Sequence, residues 1–362
     1  MSKWEYTEHE LWRYGENGYS IYHVFSVCAI EQTVFVFAEG RCGDGSDANC
    51  PHDIVMKKSL DGGKTFPVDV CLLTADEGHC WTNACPLYDD VNKRLFLFYS
   101  DNQKNRKTEN YYITSDDLGA TWSEPVCITH ILADVERPLP FHLAGPGHGI
   151  CLKRAPYAGR LLMQFWHRGA DVTLPVGERG YCASVLFSDD GGQSWQSTPY
   201  LGKQDNCHES RLAETRTGVL WSARTRSTVS MFSQSVDGGT HWSEFAAGDI
   251  TPARCCDIGL TSLSFGEDYG DMILLSRVGH ETKRMDMEIL YSLDGGKSFP
   301  GCFYLLPGDT MPGYSDLCII ADGEPIIGLV HCRNNHVLFS RISLQTLTGG
   351  KYDNTTRSVW LQ

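Results

Sequence analysis

The sequence predicts an all-β chain folded as a six-bladed β-propeller, on three observations. One turn motif recurs five times at long, similar intervals. Short apolar, aromatic-rich runs flank the copies, among them Leu95-Phe96-Leu97-Phe98-Tyr99 and Met272-Ile273-Leu274-Leu275. The 362 residues include 36 Gly, 9 Trp and 16 Tyr, with no long Ala/Glu/Leu/Lys tract, which is the composition of a turn-rich β protein.

The motif reads S-x-D-x-G-x-[ST/H]-[WF]. Its copies are Ser59–Phe66, Ser115–Trp122, Ser188–Trp195, Ser235–Trp242 and Ser292–Phe299. Each is a hairpin turn. Asp accepts bonds from nearby backbone N–H groups, Gly tolerates positive φ, and the aromatic anchors the turn in an apolar layer. The leading serines are 56, 73, 47 and 57 residues apart. A mean repeat of about 58 residues divides the chain into about six units, and six antiparallel sheets around an axis make a six-bladed propeller. No Pro/Ser-rich linker interrupts the pattern, so one domain over residues 1–362 is expected.

The net charge of −14 argues against nucleic acid and against an anionic membrane surface, both of which need a basic face. No apolar run is long enough to span a bilayer. The first residues, Met1-Ser2-Lys3-Trp4-Glu5, lead into no apolar signal region. The expectation is a cytoplasmic protein, or a secreted one whose leader has been removed. The 15 cysteines are odd in number and lack a CxxC pair, so reduced and mostly buried thiols are expected. His52/Cys50, His79/Cys80 and His331/Cys332 are pairs, short of the three or four converging ligands of a zinc site. No metal and no cofactor are expected, and oligomeric state is left open.

Further segments carry a resemblance. Phe37-Ala38-Glu39-Gly40-Arg41 precedes the first turn motif, and Gly145-Pro146-Gly147-His148-Gly149-Ile150 opens the middle of the chain. Glu209, Glu214, Gly218 and Arg224 follow in an E-x4-E…G…R spacing, and Gly313-Tyr314-Ser315-Asp316-Leu317 comes after the fifth motif. In this order the chain resembles the sialidase (neuraminidase) superfamily, in particular bacterial exo-sialidases, over nearly its whole length. The five turns then correspond to that family's Asp boxes (BNR repeats).

The resemblance implies a retaining glycosidase acting on a glycan with a terminal acidic sugar. Tyr314 would be the nucleophile and Glu209 its base. Asp47 would be the acid, with Asp44 in the same loop as the alternative. A Tyr suits this chemistry because the substrate's own carboxylate would repel a carboxylate nucleophile. Free Tyr, with a pKa near ~10, needs a neighbouring base. Substrate carboxylates call for Arg. Arg224 and Arg284 would supply it, with Arg226 as a substitute for Arg224 and Arg41 on the floor of the site.

Two positions depart from the family pattern. His23, in Tyr22-His23-Val24-Phe25, stands where the first carboxylate-binding Arg belongs, and Cys332 stands where that Arg's supporting Glu belongs. A remodelled pocket around His23 and His331 is the expectation, with His148 facing the central axis. His52, His79 and His208 carry weaker claims to chemistry. Competing readings are a propeller glycosidase for another sugar, a uronate lyase using His23, His148 or His331, and a non-catalytic glycan-binding propeller.

Overall fold

Short apolar runs separated by tight turns can satisfy their backbone groups only by pairing with one another. In the computed structural model they do so as six antiparallel sheets. The structure describes residues 4–75, 79–133, 139–171, 173–175, 178–264, 271–310, 313–322 and 324–352; the two ends of the domain expected over 1–362 lie outside the described residues.

Strand β1 (Tyr6–Arg13) opens the chain. The first blade holds β2 (Ile21–Ile30), β3 (Thr33–Arg41), β4 (His52–Ser59) and β5 (Val68–Leu73). The second holds β6 (Trp81–Asp89), β7 (Arg94–Gln103), β8 (Lys107–Ser115) and β9 (Val126–Cys127). In the third, β10 (Phe141–Ala144) and β11 (Ile150–Cys151) both pair with β12 (Leu161–Arg168), followed by β13 (Cys182–Ser188) and β14 (Gln196–Ser197). The fourth holds β15 (Ser210–Thr215), β16 (Gly218–Ala223), β17 (Met231–Ser235) and β18 (Ala246–Ala247). The fifth holds β19 (Gly259–Ser264), β20 (Asp271–Val278), β21 (Met285–Ser292) and β22 (Gly301–Thr310). The last holds β23 (Ser315–Asp322), β24 (Glu324–Arg333) and β25 (His336–Ser343), and its outer strand is β1. The first and last parts of the chain thus close one ring.

This closure explains why six blades carry five Asp boxes. Each box begins at the end of a blade's third strand and leads to its fourth: Ser59 ends β4, and Ser115, Ser188, Ser235 and Ser292 end β8, β13, β17 and β21. In the last blade the fourth strand comes from the other end of the chain, so that hairpin does not exist.

The blades pack face to face, and the second strand of each is buried on both sides. That is why β3, β7, β16 and β20 read as unbroken apolar runs rather than alternating ones. Six apolar clusters fill the six spaces between neighbouring blades. Each fully buried Phe, Leu or Ile contributes ~1.5–3 kcal/mol. Each box aromatic enters the cluster shared with the preceding blade, as Trp195 does with Phe96 and Phe98. All 15 cysteines are free thiols, eight of them buried. No helix among the described residues is long and apolar enough to cross a membrane.

Antiparallel order also separates the two faces of the ring. First strands begin, and second strands end, on the face opposite the one where third strands end. The Asp boxes therefore lie on one face. Residues at the starts of β2, β15 and β23 and at the ends of β3, β16 and β24 gather on the other.

Candidate active site

Tyr314 lies just before β23, Glu209 just before β15, and Arg224 just after β16, so three strand ends converge. The Tyr314 hydroxyl donates to Glu209 Oε1. Arg224 Nη1 donates to Glu209 Oε2 and lies 3.3 Å from the Tyr314 oxygen. Burial pushes the Glu209 carboxyl up, but the Arg224 guanidinium, His208 and the Tyr314 hydroxyl outweigh it and hold the group below the usual carboxylate range. Burial and the Glu209 charge push the Tyr314 phenol well above its usual value. At neutral pH the pair therefore rests as a neutral phenol bonded to an anionic carboxylate.

Gly313 makes room for this arrangement. Its φ of +103° disfavours a side chain, and a Cβ there would lie 2.6 Å from Cys256 Sγ and 3.1 Å from Arg284 Cδ. The Arg284 stem therefore packs against the residue preceding Tyr314. Arg226, the substitute for Arg224, turns away and lies over the Tyr181 ring, 4.9 Å from its centroid.

Arg41 ends β3, and the two-residue period of a strand puts Glu39 on its side of the sheet. Arg41 donates from Nε to Glu39 Oε2 at 2.8 Å and from Nη1 to Asp47 Oδ1 at 2.6 Å. Glu39 is fully buried and also accepts from Thr82 and from the Asn83 N–H. The Asp47 side chain is 77% exposed. Asp44 instead caps its own turn, accepting from the Ser46 N–H at 2.9 Å, and that bond lowers its carboxyl. The geometry brings Asp47 and Arg41 together and leaves Asp44 in the loop.

His23 opens the inner strand of the first blade. The register of β2 shifts between His23 and Ser26, and Val24 sits at a φ of +51°, rare for a β-branched residue. This bulge turns the imidazole onto the Tyr314 ring, with centroids 4.6 Å apart.

The structure does not bring His331 to this cluster. It is fully buried on β24, where its Nε2 lies 2.9 Å from Ser340 Oγ on the neighbouring β25, and burial lowers the imidazole to about 3. The expectation that His331 lines a carboxylate pocket is corrected accordingly. Its neighbour Cys332 donates to the Tyr14 hydroxyl at 3.4 Å. His148 also stands apart, on the axis, with Nδ1 3.0 Å from Asp316 Oδ2. There it joins a network absent from the sequence reading. Arg211 reaches Asp257 at 2.5 Å and approaches Asp316 at 3.6 Å, and the Val27 N–H donates to Asp316 at 3.0 Å. Gly147 is required here, because a Cβ would meet Arg211 Nε at 2.2 Å. Burial, partly countered by Arg211, raises the Asp257 carboxyl. His208 is held neutral by burial, at about 3, and His79 stacks on Trp81 beside Asp101. His52 bonds Ser46 and Cys80.

Comparison with known proteins agrees with this architecture. The BNR repeat-like domain family matches residues 32–332. A sialidase of Micromonospora viridifaciens is 24% identical over 369 residues, covering 95% of this chain and 55% of that protein. A sialidase of Bacteroides fragilis is 29% identical over 324 residues, covering 82% and 57%. The chain thus spans just over half the length of these relatives. Among solved structures, the Hadza microbial sialidase Hz136 superposes with a TM-score of 0.80 at 22% identity, over 92% of this chain and 68% of that one. An intramolecular trans-sialidase from Ruminococcus gnavus superposes with a TM-score of 0.76 at 17% identity, over 93% and 97%. The chain belongs to the BNR repeat-like domain family, as a six-bladed propeller of the sialidase superfamily.

Proposed function

We propose that the chain is an exo-acting glycoside hydrolase of the sialidase type, releasing a terminal sialic acid or related acidic sugar with retention of configuration. The observation that carries this reading is the bond from the Tyr314 hydroxyl to Glu209. A phenol is a poor nucleophile until a base takes its proton, and here the base is already seated on it. Sialidases of other organisms, at 24–29% identity, support the same reading.

As the Tyr314 oxygen bonds to the anomeric carbon, Glu209 takes the phenolic proton. Asp47, in its acid form, protonates the departing glycosidic oxygen. In the second half Asp47 takes a proton from water. The water oxygen bonds to the anomeric carbon, the tyrosyl bond breaks, and Glu209 returns its proton to Tyr314. Two inversions give net retention. Arg224 stabilises Glu209 as an anion at the start, and Arg224 and Arg284 offer the substrate carboxylate its partners. Arg41, tied to Glu39 and Asp47, positions the acid.

A 4-methylumbelliferyl α-sialoside tests the proposal, with NMR identification of the first-formed anomer. Hydrolysis with the α-anomer appearing first is expected. An inert sialoside together with unsaturated products from a uronate-containing glycan would replace the hydrolase by a lyase.

A further inference from the structure

His23 is a half-buried imidazole set among cations. Its ring packs on Tyr314 and, edge-on, 6.0 Å from Phe25. Its Nδ1 is buried without a hydrogen-bond partner. The charged groups facing it are Arg41 at the end of β3, Arg224 after β16, Arg284 before β21 and Glu209 before β15. Two of these guanidinium groups already hold carboxylates of the chain, Arg41 with Glu39 and Asp47, and Arg224 with Glu209. Burial first, then the charges of Arg41 and Arg284, hold the imidazole well below its ordinary range, so at rest it is neutral.

An anion placed beside these groups reverses the field at His23. It adds a negative charge next to an imidazole whose Nδ1 has no hydrogen-bond partner and whose ring lies against Tyr314 and Phe25. We propose that His23 couples binding of an acidic sugar to uptake of one proton, so that the bound carboxylate is held by an imidazolium beside the arginines. The proton comes from solvent on binding and returns to it on release. This rests on the sialidase-type reading above and adds how that site selects its substrate. His23 is a specificity residue that makes carboxylate binding depend on pH. With one proton taken up per ligand, affinity rises up to ~10-fold for each pH unit lowered, and by linkage the ligand raises the His23 pKa. A permanent cation at this position would bind the carboxylate without that dependence.

The test is calorimetric titration of the full chain with 2-deoxy-2,3-dehydro-N-acetylneuraminic acid near pH 6. Buffers of different ionisation enthalpy then report the protons taken up. Uptake approaching one proton is expected for the wild type, and close to none for His23→Asn and for His23→Arg, with the second binding almost independently of pH. No uptake by the wild type overturns the proposal, whether or not the variants fold. Equal uptake by folded His23→Asn also overturns it, since Glu209 or Asp47 would then be the acceptor. Turnover of the α-sialoside is measured alongside. Turnover without proton uptake removes the His23 proposal and leaves the hydrolase standing. Neither binding nor turnover removes both.

Discussion

In the proposed mechanism Glu209 does two things at once: it neutralises Arg224 and accepts the Tyr314 proton. Glu209→Gln removes both and leaves a guanidinium with 10% of its side chain exposed and no carboxylate partner there. Loss of one member of a buried pair costs ~3–5 kcal/mol, and loss of a general base costs ~10²–10⁴-fold in rate. The expected outcome is a protein of lower melting temperature whose kcat falls by at least ~10²-fold. A variant with unchanged kcat would remove Glu209 from the mechanism. The two acidic loop residues separate just as clearly. Asp47→Asn is expected to lower kcat by ~10²-fold or more with α-sialosides of poor leaving groups, and far less with activated aryl leaving groups, which need no acid. Asp44→Asn, which touches only its own turn, is expected to keep the wild-type profile. Equal losses in the two variants would contradict the assignment. The clustering of three of these side chains was legible. Tyr314 lies 105 residues from Glu209 and 90 from Arg224, but each has a recognisable local setting. His331 was misread because position along β24 does not reveal which face of the pleat it takes. Arg211 and Asp257 were missed because their pairing spans two blades, and neither segment signals the other.

The Asp box shows how one short pattern does several jobs. In every copy the Ser hydroxyl bridges to the Asp carboxylate and accepts the N–H of the second turn glycine or its equivalent. The residue before the aromatic then closes back on the Asp, and in the fourth copy His241 does so in place of Thr or Ser, at 2.7 Å. The second glycine serves contact as well as φ. A Cβ on Gly63 would lie 2.3 Å from Phe339, and one on Gly192 would lie 2.5 Å from Phe96, both on the preceding blade. The sequence pattern revealed the turn but not this close approach, which needs the neighbouring blade in place. The boxes also predict an acid transition. The Thr121 hydroxyl and N–H and the Ser115 hydroxyl draw Asp117 down to about 2 from the usual 3.8. For Asp61 burial pushes up, yet bonds from Thr65 and Ser59 bring it to about 2. A folded value below the unfolded one stabilises the protein above the unfolded value and is lost as pH falls through the folded one. Melting temperature is therefore expected to hold down to about pH 4 and to fall between about 4 and 2. Asp117→Asn should reduce that fall. A melting temperature that is flat to pH 2 would contradict it.

At the scale of the whole ring, closure depends on the first strand. β1 pairs with β25 from Tyr6 to Arg13, and the ion pairs of Glu5 with Arg341 and Glu8 with Arg333, with the 2.7 Å hydrogen bond between His336 Nδ1 and Glu10, fasten it. It contributes Leu11 and Trp12 to the cluster between the last and first blades, with Trp12 stacked on Tyr22. Trp12→Ala is expected to cost about 3–5 kcal/mol in urea unfolding, in one cooperative step. A cost under about 1 kcal/mol would mean that the ring does not rely on this closure. Sequence arithmetic reached six blades from five boxes, but could not say which blade lacked one. That follows only from pairing the two ends of the chain. The central claim is that Tyr314 forms a covalent bond to the sugar while Glu209 takes its proton. Its most direct test is intact-mass and peptide mapping after exposure to 2,3-difluorosialic acid. One adduct per chain, on Tyr314 and absent from Tyr314→Phe, is the predicted result. An adduct on a carboxylate side chain, or near-wild-type turnover by Tyr314→Phe, would contradict it.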